Sequence, residues 1–106
     1  MANDRQAQIG TFSAAPNPAH DRTVIRIEHN LTNTVQSATI DLYDIRGGHI
    51  QHFTPVPSAN GCVIACPWDF TSSNGSVVPR GIYIARVVLT TTSGEVLTQT
   101  TKVVRN

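Results

Sequence analysis

Ser37-Ala38-Thr39-Ile40-Asp41-Leu42-Tyr43-Asp44-Ile45 alternates apolar and polar side chains, with Ala38, Ile40 and Leu42 on one face and Thr39, Asp41 and Tyr43 on the other. A period of two is the signature of a strand with one buried face. Arg46-Gly47-Gly48 breaks the pattern, and His49 to Val56 returns as a second strand stopped by Pro55 and Pro57. Paired glycines accept the positive φ angles that a two-residue loop requires, so the two stretches read as an antiparallel hairpin. Outward from this hairpin the pattern repeats. Thr23 to Leu31 sets Ile25 and Ile27 against Arg26 and Glu28, and Thr32-Asn33-Thr34 is a turn. Gly61 to Trp68 is a further strand, followed by a polar loop, Thr71 to Arg80, around Asn74-Gly75. Gly81 to Thr91 is the longest strand, and Ser93-Gly94 turns it into the last, Glu95 to Val104. Strands about ten residues apart, joined by turn dipeptides, specify an all-β fold, an antiparallel β-sandwich of about seven strands.

Composition agrees with the pattern. Of 106 residues, 33 are Thr, Val or Ile, whose branched side chains suit a pleated sheet better than a helix. A net charge of +1 gives no basic footprint for nucleic acid, and Arg80, Arg86, Lys102 and Arg105 are scattered without stacking aromatics. No apolar run is long enough to span a membrane, and Met1 to Gly10 lacks the apolar core of a signal peptide. The chain therefore reads as an excised module carrying an added start Met, expected to be a monomer as an isolated domain. Residues 1–15 are assigned to a linker containing a short edge strand, Ile9 to Ala14. Ala15-Pro16-Asn17-Pro18 is a rigid boundary, because each proline fixes its own φ and restricts its predecessor.

Groups with chemical potential are few. Cys62 and Cys66 would face the same side of a strand roughly 13 Å apart at about 3.3 Å per residue, too far for a disulfide. Both are expected as reduced, buried thiols. His49 and His52, with the two cysteines, are ligand types suited to zinc. On a regular strand, however, the two histidines point to opposite faces. No metal or other cofactor is therefore assigned. A Cys–His nucleophile would need an electropositive cleft that the apolar Cys62–Cys66 segment does not offer. Asp41, Asp44 and Asp69 could pair as acid and base, but turn roles account for the last two. Asn30 and Asn74 fit the glycosylation sequon and are expected as unmodified turns.

Four segments carry more than a pattern. Pro16-Asn17-Pro18, followed by His20-Asp21-Arg22-Thr23, is similar to an opening PNP-x-x-D/S-x-T/L. Ile40-Asp41-Leu42-Tyr43-Asp44-Ile45-Arg46-Gly47 is similar to a strand ending in aspartate, two residues and glycine. Trp68-Asp69 through Gly75 and Val78 to Gly81-Ile82-Tyr83 follows W-D-G-x-D-x-x-G-x-x-V-x-x-G-x-Y, with Phe70 and Ser72 replacing a glycine and an aspartate. Lys102-Val103-Val104 looks like a closing lysine and apolar pair. In this order, residues 16–106 resemble the Ig-like C-terminal sorting domains of proteins exported by the type IX secretion system of Bacteroidetes. They also resemble the Ig-like domain of the flagellar hook-assembly scaffold.

The physical roles of these residues are structural. Asp44 can accept hydrogen bonds from turn amides two or three residues on, and Gly47 supplies the left-handed position. Gly81 releases the chain from its loop, Tyr83 can bury its ring while its hydroxyl reaches a nearby backbone group, and Trp68 is the candidate for the core centre. Function must then lie on the surface. The resemblance implies a non-catalytic address that takes a parent protein through the periplasm and across the outer membrane to the cell surface. By the same resemblance, an outer-membrane shuttle protein is expected to recognise it, and a cysteine-protease-like sortase usually removes such domains at the linker. Some parents retain the domain, and the sortase itself ends in a similar one. The residues expected to be read by these partners are Thr98, Thr100, Lys102, Val103, Val104 and Arg105, on a terminal edge whose unpaired amides suit strand addition. The threonines of this hairpin could instead simply hydrogen-bond across strands. Two other readings stand beside this one: a purely structural Ig-like module packed against a catalytic or adhesive domain, and a carbohydrate binder, which would need exposed aromatics on a sheet face, whereas Phe12, Tyr43, Phe53, Trp68, Phe70 and Tyr83 are few and expected to be buried.

Overall fold

The protein is described by a computed structural model covering residues 9–29, 35–56 and 63–106. Seven strands follow in chain order: β1 (Ile9–Ala15), β2 (Thr23–His29), β3 (Val35–Asp44), β4 (His49–Phe53), β5 (Val63–Trp68), β6 (Gly81–Thr91) and β7 (Val96–Arg105). They form two antiparallel sheets, ordered β1-β2-β5 and β4-β3-β6-β7, packed as an Ig-like β-sandwich. Among the described residues there is no helix, hence none long and apolar enough to cross a membrane. The turn expected at Thr32–Thr34, the sequon Asn30, Pro57, Gly61 and Cys62 lie outside the described residues. Ile9–Ala15 pairs with β2, from Ile9 opposite His29 to Ala15 opposite Val24, as an edge strand.

Alternation builds the core. β2 buries Thr23, Ile25, Ile27 and His29 and exposes Val24, Arg26 and Glu28, while β5 buries Ile64, Cys66 and Trp68. From the facing sheet come Ala38, Ile40 and Leu42 of β3, Tyr83, Ala85, Val87 and Leu89 of β6, and Val103 of β7. Each large apolar side chain so buried contributes about 1.5–3 kcal/mol. Burial also pushes the free Cys66 thiol above its ordinary pKa. Thr23 is fully buried, and its hydroxyl donates to the Pro16 carbonyl at 2.8 Å.

Three loops share one geometry. In Asp44–Gly48, Ser72–Ser76 and Thr91–Glu95, the first residue's N–H donates to the fifth residue's carbonyl at 2.8–2.9 Å. The fourth residue's N–H donates back to the first residue's carbonyl at 2.9–3.0 Å. That fourth residue is Gly47, Gly75 or Gly94, at φ 88°, 88° and 89°, where a Cβ would be strained. The expected two-residue turn with paired positive-φ glycines is thus corrected. β3 and β4 are joined by four residues, and only Gly47 is left-handed. Gly48 matters for space: a Cβ there would lie 2.9 Å from Asp44 Oδ2. Asp44 Oδ1 accepts from the amides of Arg46 at 2.9 Å and Gly48 at 2.8 Å, two and four residues on.

At the centre, Trp68 is 1% exposed, donates from Nε1 to the Thr71 carbonyl at 2.9 Å, and meets Tyr83 edge-on at 5.6 Å between centroids. The Tyr83 hydroxyl donates to the Pro79 carbonyl, and burial raises its pKa. Phe70, in the place of the motif's glycine, is fully buried and held at φ 59°. The left-handed conformation that glycine would adopt freely is therefore retained by a bulky residue. Its strain of roughly 1–2 kcal/mol is offset by packing on Trp68, 4.7 Å away between centroids.

Candidate functional site

The terminal half of β7 is fastened to the segment before β2. The peptide bonds Ala15–Pro16 and Asn17–Pro18 are cis, and the chain here runs beside β7. Asn17 acts as an inserted peptide group. Its Nδ2 donates to the Lys102 carbonyl and its Oδ1 accepts from the Val104 N–H, each at 2.9 Å. Ala19 continues the contact, its N–H donating to the Val104 carbonyl at 3.0 Å and its carbonyl accepting from the Asn106 N–H at 2.7 Å. Arg105 locks the corner. Its Nε donates to the His20 carbonyl at 2.9 Å, its Nη1 donates to the Val78 carbonyl at 3.0 Å, and its guanidinium lies 5.8 Å from the Phe70 ring centroid.

These contacts sort the residues expected to meet a partner. Val103 is fully buried, so its side chain belongs to the core; a contact role for it is corrected. The edge-directed backbone groups of Lys102 and Val104 are already bonded to residues 17 and 19, so they are not free for strand addition. Arg105 is half-buried in its clamp. Thr98, Thr100 and Lys102 are exposed on the outer face of β7, with Thr98 beside Val88 and Thr100 beside Arg86 of β6. Before Lys102, β7 has no hydrogen-bonded strand partner on its outer side among the described residues, but β1 of the facing sheet lies alongside it. Sequence reasoning missed the structural use of Asn17 and Arg105, because their partners lie 85–87 residues away in the chain or, for the Val78 carbonyl, 27.

At the opposite edge of the same sheet, geometry overturns the expected placement of the histidines. Tyr43 pairs with His49 and Leu42 with Gln51, so Ile50 is an extra residue in β4. This bulge shifts the period by one and turns both His49 and His52 to the outer face. There each meets Asp41: His49 Nε2 at 2.8 Å and His52 Nδ1 at 2.7 Å, both donating to the same oxygen, Oδ1. Partial burial alone would raise the Asp41 pKa, but the two imidazole hydrogen bonds outweigh it and hold the carboxyl below its ordinary value. The bulge is held from outside, since the Ser73 N–H donates to the Ile50 carbonyl at 3.0 Å and Gln51 Nε2 to the Thr71 carbonyl at 3.2 Å. Cys66 faces the core and does not join this group.

Between the edges of β4 and β5 an open pocket of about 360 Å³ is lined by Arg22, Phe53, Pro67, Trp68, Asp69 and Thr71. Asp69 is engaged by the Thr71 hydroxyl at 2.6 Å, and Asp44 by its turn, as their roles require. Of the six Phe, Tyr and Trp residues, Phe12, Trp68, Phe70 and Tyr83 are buried, and Tyr43 and Phe53 are half-buried.

No family profile matches the chain, and no curated protein is similar to it in sequence. Solved structures are similar in fold. A dimeric latent PorU from Porphyromonas gingivalis superposes with a TM-score of 0.72 at 24% identity, over 90% of this chain and 9% of that one. CopC from Methylosinus trichosporium OB3b gives 0.67 at 10% identity, over 95% of this chain and 94% of its own. FlgD from Xanthomonas campestris gives 0.59 at 18% identity, over 92% and 66%. At these identities the likeness is one of fold. This chain spans about a tenth of the PorU chain.

Proposed function

We propose that this domain is a C-terminal address for type IX secretion, carrying a parent protein through the periplasm and across the outer membrane to the cell surface. In this reading it performs no catalysis of its own. The outer-membrane shuttle protein reads it, and the sortase acts on the segment that precedes it. One observation carries the reading: the opening and closing motif segments, Pro16-Asn17-Pro18 and Lys102-Val103-Val104, are hydrogen-bonded to each other across 85 residues. That contact gives both motif segments a single purpose, which is to hold β7 in place with Thr98, Thr100 and Lys102 outward. The likeness in fold to part of a PorU chain supports the same assignment. We place recognition on the exposed outer row of β7, the side chains of Thr98, Thr100 and Lys102.

The test is a fusion of residues 1–106 to a periplasmic reporter in a Bacteroidetes host. β1 is included because it completes the first sheet. Delivery of the reporter to the surface supports the reading, whereas retention of a folded fusion in the periplasm leaves the alternative of a structural Ig-like module. Thr98→Asp with Thr100→Asp, both at exposed positions, should abolish delivery without unfolding the domain.

A further inference from the structure

We propose that Asp41, His49 and His52 form a three-ligand site for a divalent transition-metal ion of the copper–zinc class. Two imidazole nitrogens and a carboxylate oxygen are the donor set such ions prefer over calcium or magnesium, which take oxygen ligands. The ligand atoms His49 Nε2, His52 Nδ1 and Asp41 Oδ1 all lie within 4.8 Å of one another. Ions of this class sit about 2.0–2.2 Å from such donors, so bound ligands end roughly 3.4 Å apart. The imidazole–carboxylate distances of 2.7 and 2.8 Å need open by less than about an ångström for an ion to replace the two shared protons. Each histidine can hold its remaining proton on its other ring nitrogen, so both stay neutral ligands.

Three features favour a built site over a chance meeting on a sheet. The Ile50 bulge is what brings the histidines to one face, and it is pinned by the Ser73 amide. Tyr43 packs against the His49 ring, with centroids 5.4 Å apart at 75°, and limits its rotation. Exposures of 46% and 48% for the two histidines and 22% for Asp41 leave the group open to an ion from solvent. The opposing term is Arg86, which faces Asp41 in the β3–β6 register and disfavours a cation. Three protein ligands leave a coordination position for water.

Calorimetric titration of the chelator-stripped full chain with copper(II) sulfate and with zinc sulfate tests the site. One equivalent should bind, copper more tightly than zinc in keeping with the general order of divalent affinities. His49→Gln and His52→Gln should each weaken binding by about tenfold or more, while His20→Gln should leave it unchanged. All three variants should keep the wild-type circular dichroism, since the altered side chains are exposed. The copper complex should show nitrogen hyperfine splitting in its electron paramagnetic resonance spectrum, and His49→Gln with His52→Gln should remove it. Unchanged stoichiometry and affinity in that double variant, or no binding to the wild-type chain, would overturn the site.

Discussion

Phe70 shows how a single residue can satisfy two opposed demands. Its backbone sits at φ 59°, where glycine is preferred, yet its ring is fully buried between Trp68 and the Arg105 guanidinium. Phe70→Ala keeps the strain and loses the ring, and should cost about 3–5 kcal/mol in urea unfolding. Phe70→Gly loses the ring but relieves the backbone, and should be less destabilised than the alanine variant by roughly 1 kcal/mol. Equal losses would show that the left-handed conformation carries no strain. Burial of His29 sets a pH dependence. Burial holds its pKa below the ordinary 6.5, so the folded state binds its proton less readily than the unfolded chain. The stability this gives is present in full above pH 6.5 and is lost as pH falls from there through the folded-state pKa. Urea midpoints should drop between pH 7.5 and 5.5, and His29→Gln should flatten that part of the profile.

At the scale of elements, one turn solution recurs three times, in Asp44–Gly48, Ser72–Ser76 and Thr91–Glu95. Its polar first residue and its glycine in fourth place are visible in the sequence, which is why these three turns could be located even though the loop between β3 and β4 reads there as too short. The β4 bulge has no such mark. His49-Ile50-Gln51-His52 fits a regular strand equally well, and only pairing with β3 reveals the extra residue. Asn17 belongs to the same scale, because it extends β7 with a side chain in place of a strand. Asn17→Ala removes two hydrogen bonds at an exposed edge, where water can take the place of the side chain, at a cost of about 0.5–1.5 kcal/mol for each bond. Amide exchange at Val104 should accelerate in that variant, and unaltered protection would show that the clasp is dispensable.

Across the whole molecule, the last residues join the two sheets. Val103 fills the core, Arg105 ties the loop after β5 to the segment before β2, and Asn106 bonds Ala19. Deletion of residues 102–106 should therefore unfold the domain, read as loss of its cooperative thermal transition, and such a truncation cannot report on recognition alone. Point changes at Thr98 and Thr100 can. Alternation of side chains, β-branched composition and the polar-to-glycine turns determined by themselves that this protein is an all-β sandwich with Trp68 and Tyr83 inside, because strand period and turn chemistry are local properties. What only the tertiary structure decided are the meetings of distant parts: Asn17 with β7, Arg105 with Phe70, and two histidines with one carboxylate. Those depend on register between strands, and register is fixed by the packing of the entire core rather than by any stretch of chain alone.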